Sequence, residues 1–384
     1  MKRRRQLLGL PRPVRLLCAA LAIALVALVA AAAAIAGTVA AWGDNAYGQL
    51  GDGTLTPHVT ARAVSGLSGI VDMHAGREHA VALKSDGTVW AWGRNNFGML
   101  GDGTTTNRKL PVKVSGLANV VAVATGHYHS MALKTDGTVW TWGWNAYGQL
   151  GDGTKTSRKV PVQVQGLSNV VAVAGARDHS LALKSDGSVW AWGYNAYGNL
   201  GDGTLTTRAT PVQVKGLANV VFIAGGRDHS LAVKGDGTVW TWGWNAYGQL
   251  GDGTKTNRTT PVRAGTISNA VAVAAGANHT VALSSDGTVW AWGQGTYGQL
   301  GLGDTTARLR PAHLSITDVV SIGAGRLHSL AVKADGTAWA WGRNDFGQLG
   351  DGTRTNRKAP VRVTGIASGK EIAGGRDFSV VLLG

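Results

Sequence analysis

The chain has 384 residues, 57 of them Gly and 15 Trp, with only 15% charged, a balance that points to many short strands joined by tight turns and away from ordinary helical domains. The formal net charge of +15 is concentrated at the start, where Lys2, Arg3, Arg4, Arg5, Arg12 and Arg15 precede any acid; without them 31 basic residues face 22 acidic ones, a net of +9 that serves solubility and is not diagnostic of a polyanionic partner. The one cysteine, Cys18, lies in the same leading stretch, so the body excludes disulfides, cysteine metal sites and thiol nucleophiles.

Residues 1–36 read as an address. A positive segment to Arg15 is followed by the uncharged, proline-free run Leu16 to Ile35, and Ala34-Ile35-Ala36 supplies the small residues of a signal-peptidase site. The run of 20 residues can also span a bilayer, so a cleaved signal and a retained anchor both stand. Arg4-Arg5-Gln6-Leu7-Leu8 resembles a twin-arginine export signal. The expected location is extracytoplasmic, with membrane contact only if the segment is retained.

From Gly37 onward the chain is a repeat. Trp-Gly pairs begin at Trp42, Trp92, Trp142, Trp192, Trp242, Trp292 and Trp341, and His79, His129, His179, His229, His279, His328 and then Phe378 run in step with them. Residues 141–156, TWGWNAYGQLGDGTKT, recur unchanged at 241–256. Each unit predicts four strands. In one, Val120 to Ala124 and His129 to Leu133 are apolar runs, Asp136-Gly137 is a hairpin turn, and Thr138 to Trp142 is the third strand. A long turn then leads to Pro161 to Val164, an edge strand because proline cannot donate to a ladder. The reading is all-β: a seven-bladed β-propeller over residues 37–384 with four-stranded blades. Gly37-Thr38-Val39 aligns just after the Asp-Gly turn and Phe378 to Leu382 just before it, so N- and C-terminal strands should share the closing blade.

The pattern G-x-x-H-S-L-A-L…D-G-T-V-W-x-W-G-x-N-x-Y-G-Q-L-G-D-G-T resembles the regulator of chromosome condensation repeat, across the whole body. The resemblance implies the same seven-bladed fold. The family's founding member exchanges nucleotide on a GTPase through an inserted wedge. The uninterrupted period here leaves no wedge, so no nucleotide partner is expected. The light-sensing plant member carries G-W-R-H-T motifs, whereas residues 175–179 and 225–229 here contain no Trp.

Several motifs invite chemistry and have simpler explanations. Six equivalent histidines, one per blade, cannot converge on one ion, so a structural role with bonds to nearby backbone is expected. Thirteen of the 15 Trp are expected in the core between blades, leaving Trp144 and Trp244. Gly-Asp-Gly-Thr has one carboxylate per loop, too few for calcium, and reads as a turn. No metal or cofactor is expected.

Asymmetry occurs in three rings of positions. Two before the repeated His stand Arg77, His127, Arg177, Arg227, Ala277, Arg326 and Arg376, and next to them Glu78, Tyr128, Asp178, Asp228, Asn278, Leu327 and Asp377. After Trp-Gly stand Asp44, Arg94, Trp144, Tyr194, Trp244, Gln294 and Arg343. Antiparallel order puts all three rings on one end of the propeller. The expected function is a binding scaffold, not an enzyme, with a protein partner docking on Arg77, Arg94, Tyr128, Trp144, Arg177, Asp178, Tyr194, Arg227, Asp228, Trp244, Arg326, Arg343 and Arg376. A glycan or cell-wall polymer on the same face, and an enzyme with its site at the central channel mouth, are the alternatives. Exposed side chains of this kind should be removable without loss of fold.

Overall fold

A computed structural model describes residues 37–384; the export signal, its cleavage site and the anchor alternative lie outside the described residues. The described chain forms 28 strands in seven four-stranded antiparallel sheets. The first complete blade shows why. Strands β3 (Ile70–Ala75), β4 (His79–Lys84), β5 (Val89–Gly93) and β6 (Arg108–Lys113) pair in that order from the central axis outward. Between β4 and β5, Gly87 takes the left-handed φ of 77° that the turn demands, and Asp86 Oδ1 accepts the Thr88 backbone N–H at 2.9 Å. Strand β4 is buried on both faces because neighbouring blades pack against each, and small Ala91 between Trp90 and Trp92 makes room for one of them. Strand β6 is the exposed edge. Its counterpart in the next blade begins at Arg158, three residues before the expected Pro161, so the proline sits inside an edge strand where no ladder bond is lost.

The closing blade is shared by the two ends. β27 (Gly369–Gly374) and β28 (Phe378–Leu383) pair with β1 (Thr38–Gly43) and β2 (His58–Ala63), in register from Thr38 opposite Leu383 to Gly43 opposite Phe378. At one mouth of the channel, backbone bonds tie blade to blade in a closed cycle. Arg77 N donates to His127 O at 3.2 Å, His127 N to Ala176 O, Arg177 N to Gly226 O, and so on until Arg376 N donates to Arg77 O at 3.0 Å.

Two expectations about the core need correction. The histidines do not bond backbone. His129 Nε2 lies 2.9 Å from Ser180 Oγ of the next blade, and Ser180 Oγ donates to Gln149 O, which also accepts the Trp192 indole N–H. Because the serine proton is spent on that carbonyl, the imidazole must be the donor through Nε2, and its Nδ1 has no partner. Burial holds His79, His129, His179, His229 and His328 neutral, with pKa lowered to about 3, and His279 to about 4. Of the tryptophans, the inner member of each pair, as Trp92 and Trp142, is fully buried, but the outer member is only half-buried. Trp90 packs against the same cluster between blades as Trp92 but keeps part of its ring exposed, with the Lys84 ammonium 5.7 Å from it.

Candidate binding face

The three variable rings meet at one end of the propeller. In each blade the residue after Trp-Gly donates its backbone N–H to the residue before the repeated His: Trp144 to Tyr128 O, Tyr194 to Asp178 O and Trp244 to Asp228 O, each at 2.8 Å. The loop after the first strand and the loop after the third are thereby locked together, and both surround the same channel mouth.

On one side of that mouth the aromatic residues form an unbroken belt. Tyr128 meets Trp144 edge to face at 6.0 Å between centroids, Trp144 meets Tyr147 at 5.5 Å, and Tyr147 meets Tyr194 at 4.9 Å. Tyr194 continues to Tyr197 at 6.1 Å, Tyr197 to Trp244 at 5.9 Å, and Trp244 to Tyr247 at 5.6 Å. Phe97 joins the belt against both Tyr128 and Trp144. The expected residues Tyr128, Trp144, Tyr194 and Trp244 are thus brought together, but Phe97, Tyr147, Tyr197 and Tyr247 bridge them. Sequence reasoning missed those four because their place in N-x-Y-G holds an aromatic in every repeat and does not stand out. Most of the belt is half-buried, and Tyr247 is 38% exposed.

The aspartate of the closing blade has a bonding partner that its counterparts lack. In the closing blade, Gln49 Nε2 donates to Asp44 at 2.9 Å. Where Trp144, Tyr194 and Trp244 replace that aspartate, and equally where Gln294 and Arg343 do, the buried amide nitrogens of Gln149, Asn199, Gln249, Gln299 and Gln348 have no partner among the described residues. An unsatisfied buried donor costs about 1–3 kcal/mol, a cost that comes with losing the aspartate whichever residue stands in its place.

The arginines divide into working ion pairs and a freer set. Asp178 and Asp228 are 3% and 2% exposed, so they lie beneath the face and do not present themselves to a partner. Arg177 bridges them across two blades, at 2.5 Å to Asp178 and 3.3 Å to Asp228, and Arg227 adds a contact to Asp228 at 3.2 Å. Burial raises the pKa of both carboxyls, and the arginines oppose it. Glu78 is the matching hub on the far side, contacted by Arg77, Arg94 and Arg376. Arg94 also lies over the Tyr47 ring at 4.8 Å, while Arg77 lies over Tyr128 at 5.0 Å. Arg343 pairs with Asp345 and Asp377, away from the belt. Arg326 has no carboxylate within ion-pair distance among the described residues; burial, Arg376, and also Arg343 and Arg77 depress its pKa, while Asp377 opposes.

The Gly-Asp-Gly-Thr loops are structural knots. Asn145 Nδ2 donates to Asp152 Oδ1, Thr154 O and Thr156 O, each at 3.1 Å, while Asn145 Oδ1 accepts from Leu150 N. Asp152 Oδ2 accepts a hydrogen bond from Arg158 Nε at 2.9 Å, so both carboxylate oxygens are engaged. The channel itself encloses about 890 Å³ and is walled by the first strand of every blade.

The chain matches the family described as the RCC1-like domain over residues 32–268 and 120–384, and with the repeat, the blade order and the ring closure this places it in that family. No curated protein is significantly similar in sequence. Among solved structures, Prp20p of Saccharomyces cerevisiae is similar at 27% identity and a TM-score of 0.81, covering 91% of this chain and 92% of that one, and was described with its binding properties to Gsp1p and histones. Yeast RCC1 (Prp20) with Kap60 bound aligns at 26% identity, TM-score 0.81, over 91% and 89% of the two chains. Human WBSCR16 aligns at 26% identity, TM-score 0.82, over 90% and 98%.

Proposed function

We propose that this protein is an extracytoplasmic binding scaffold that docks a protein partner on the channel-mouth face, and that it works without catalysis. The observation that carries the reading is the aromatic belt from Phe97 to Tyr247, continuous over consecutive blades on one end of the propeller and flanked by Arg77, Arg94, Arg177 and Arg227. Tyr, Trp and Arg supply rigid apolar area and fixed donors at little entropic cost, the composition that dominates protein interfaces. Most of the rings pack edge to face and half-buried, which suits a contoured protein surface better than the flat open platform a sugar ring stacks on. That the similar yeast protein binds other proteins supports a partner of the same class. The location rests on the charged and apolar pattern of residues 1–36.

The test is capture of cell-surface and secreted proteins by the immobilised protein, compared with a variant carrying Trp144→Ala, Trp244→Ala and Tyr247→Ala, alongside a soluble-glycan array. Loss of a specific captured protein in the folded variant supports the proposal. Glycan binding abolished by the same changes, or capture indifferent to them, overturns it.

A further inference from the structure

The wall of the central channel is almost uniformly apolar. At the third place of the inner strands stand Ala122, Ala172, Phe222, Ala272 and Ser321, and at the fifth place every other blade carries Ala or Gly. Two adjacent strands break the rule. On β3 the two places hold Asp72 and His74, and on β27 the third place holds Glu371.

These three half-buried side chains converge: their ligand atoms all lie within 4.8 Å of one another. Asp72 is held in place, since Oδ2 accepts the Val123 backbone N–H at 2.9 Å, and its Oδ1 faces His74 Nε2 at 3.9 Å. Glu371 has no ion-pair partner among the described residues, and the charged neighbour that acts on it is the like-charged Asp72. Two carboxylates and an imidazole gathered in an apolar tube, with no protein cation among them, have the donor set of a metal site and lack a counter-charge.

We propose that Asp72, His74 and Glu371 bind one divalent first-row transition ion, of the Zn²⁺ or Mn²⁺ kind, inside the channel. Mixed imidazole and carboxylate donors suit these ions. Three protein ligands leave positions open toward the channel for water. Ca²⁺ fits poorly, because it wants six to eight oxygens and gains little from an imidazole. Ligand atoms on a four-coordinate ion sit roughly 3.3 Å apart at bond lengths near 2 Å, so side-chain rotations of about an ångström complete the site. The cluster lies within the channel, apart from the aromatic belt, and is independent of the docking proposal.

The experiment uses chelator-treated protein and titrates ZnCl₂ and MnCl₂ calorimetrically, with CaCl₂ as the contrasting ion. The expected result is one Zn²⁺ or Mn²⁺ per chain at micromolar affinity or tighter, with much weaker Ca²⁺ binding. His74→Ala and Glu371→Ala should each weaken it at least tenfold. Alanine already stands at the place of His74 in five of the other six blades and at the place of Glu371 in three of them, so folding should survive, and an unchanged thermal midpoint of the metal-free variants checks it. His58→Ala, which removes the partner of Asp52 on an outer edge, should leave binding unchanged. No binding of either ion, or binding that persists in both channel variants, or binding lost with His58, overturns the proposal.

Discussion

Phe378 and Ala80 pack in one apolar cluster across the seam between the closing blade and its neighbour, in the place where the other six seams carry a histidine bonded to a Ser or Thr hydroxyl. Both members have changed together. A histidine opposite Ala80 would leave a buried imidazole unpaired, whereas a serine at position 80 would still have the Gln49 carbonyl to donate to, as the other seam hydroxyls do. Phe378→His alone should therefore destabilise the protein by about 1–3 kcal/mol, the usual penalty for such a group. Phe378→His combined with Ala80→Ser should recover most of that loss. Urea unfolding of the two single variants and the double gives the coupling, and a double variant no more stable than Phe378→His would show that the two positions act separately.

The same histidines set an acid limit. Unfolded imidazoles take up protons near pH 6.5. The buried ones stay neutral down to about 3, or about 4 for His279. Between those values the unfolded chain binds more protons, so stability is complete above pH 6.5 and falls as pH drops through it. Each histidine adds up to about 1.4 kcal/mol per pH unit to that slope. Asp178, Asp228 and Asp377, whose pKa burial raises, act in the opposite sense within the carboxylate range, so the histidine effect is cleanest above pH 5. Urea midpoints at pH 7.5, 6.5 and 5.5 should decline steeply at the last step. A flat profile would mean that the imidazoles find partners when charged.

Ring closure makes the last strands essential to all blades. Deleting Lys370 to Gly384 removes most of β27 and all of β28, strips β1 of one of its two partners and opens the cycle of backbone bonds at Arg376. The exposed edges also invite aggregation. The expected outcome is loss of the cooperative thermal transition; a truncated protein melting at the full-length temperature would refute it.

The blade count, the four strands, the closing blade and the common face of the variable loops were all legible in the sequence, because a fixed period phases every turn against every strand. What was not legible depends on contacts between repeats. The histidine partner is 50 or 51 residues away, so nothing local separates a bond to Ser130 from one to nearby backbone. Correlated departures were the available clue. Phe378 departs with Ala80, and in the sixth repeat Gly295 and Leu302 replace together the Asn and Asp that bond as Asn145 and Asp152 do elsewhere. The aromatic belt was half legible: Trp144, Tyr194 and Trp244 stood out by differing from other repeats, while Tyr147 and Tyr197 were hidden by agreeing with them. The burial of Asp178 and Asp228 was misjudged because a turn next to arginine looks solvated until the neighbouring blade covers it.

That burial separates two kinds of residue on the same face. Arg177 was expected to be removable without loss of fold, yet it is the bridge between the carboxylates of Asp178 and Asp228. Arg177→Ala leaves Asp178 without its closest cation, and breaking a buried pair from one side costs about 3–5 kcal/mol, reduced here because Arg177 is partly exposed and Arg227 remains beside Asp228. A loss of roughly 2 kcal/mol is expected, shrinking toward acid pH as the buried carboxyls protonate. Tyr247→Ala touches no ion pair, removes a ring that is already 38% exposed, and should cost about 1 kcal/mol or less. Partner capture should respond the other way, falling for Tyr247→Ala at nearly unchanged stability. Measuring chemical stability and capture on both variants separates the roles. If Arg177→Ala is as stable as the parent, the arginine belongs to the recognition surface and the aspartates are held by other means.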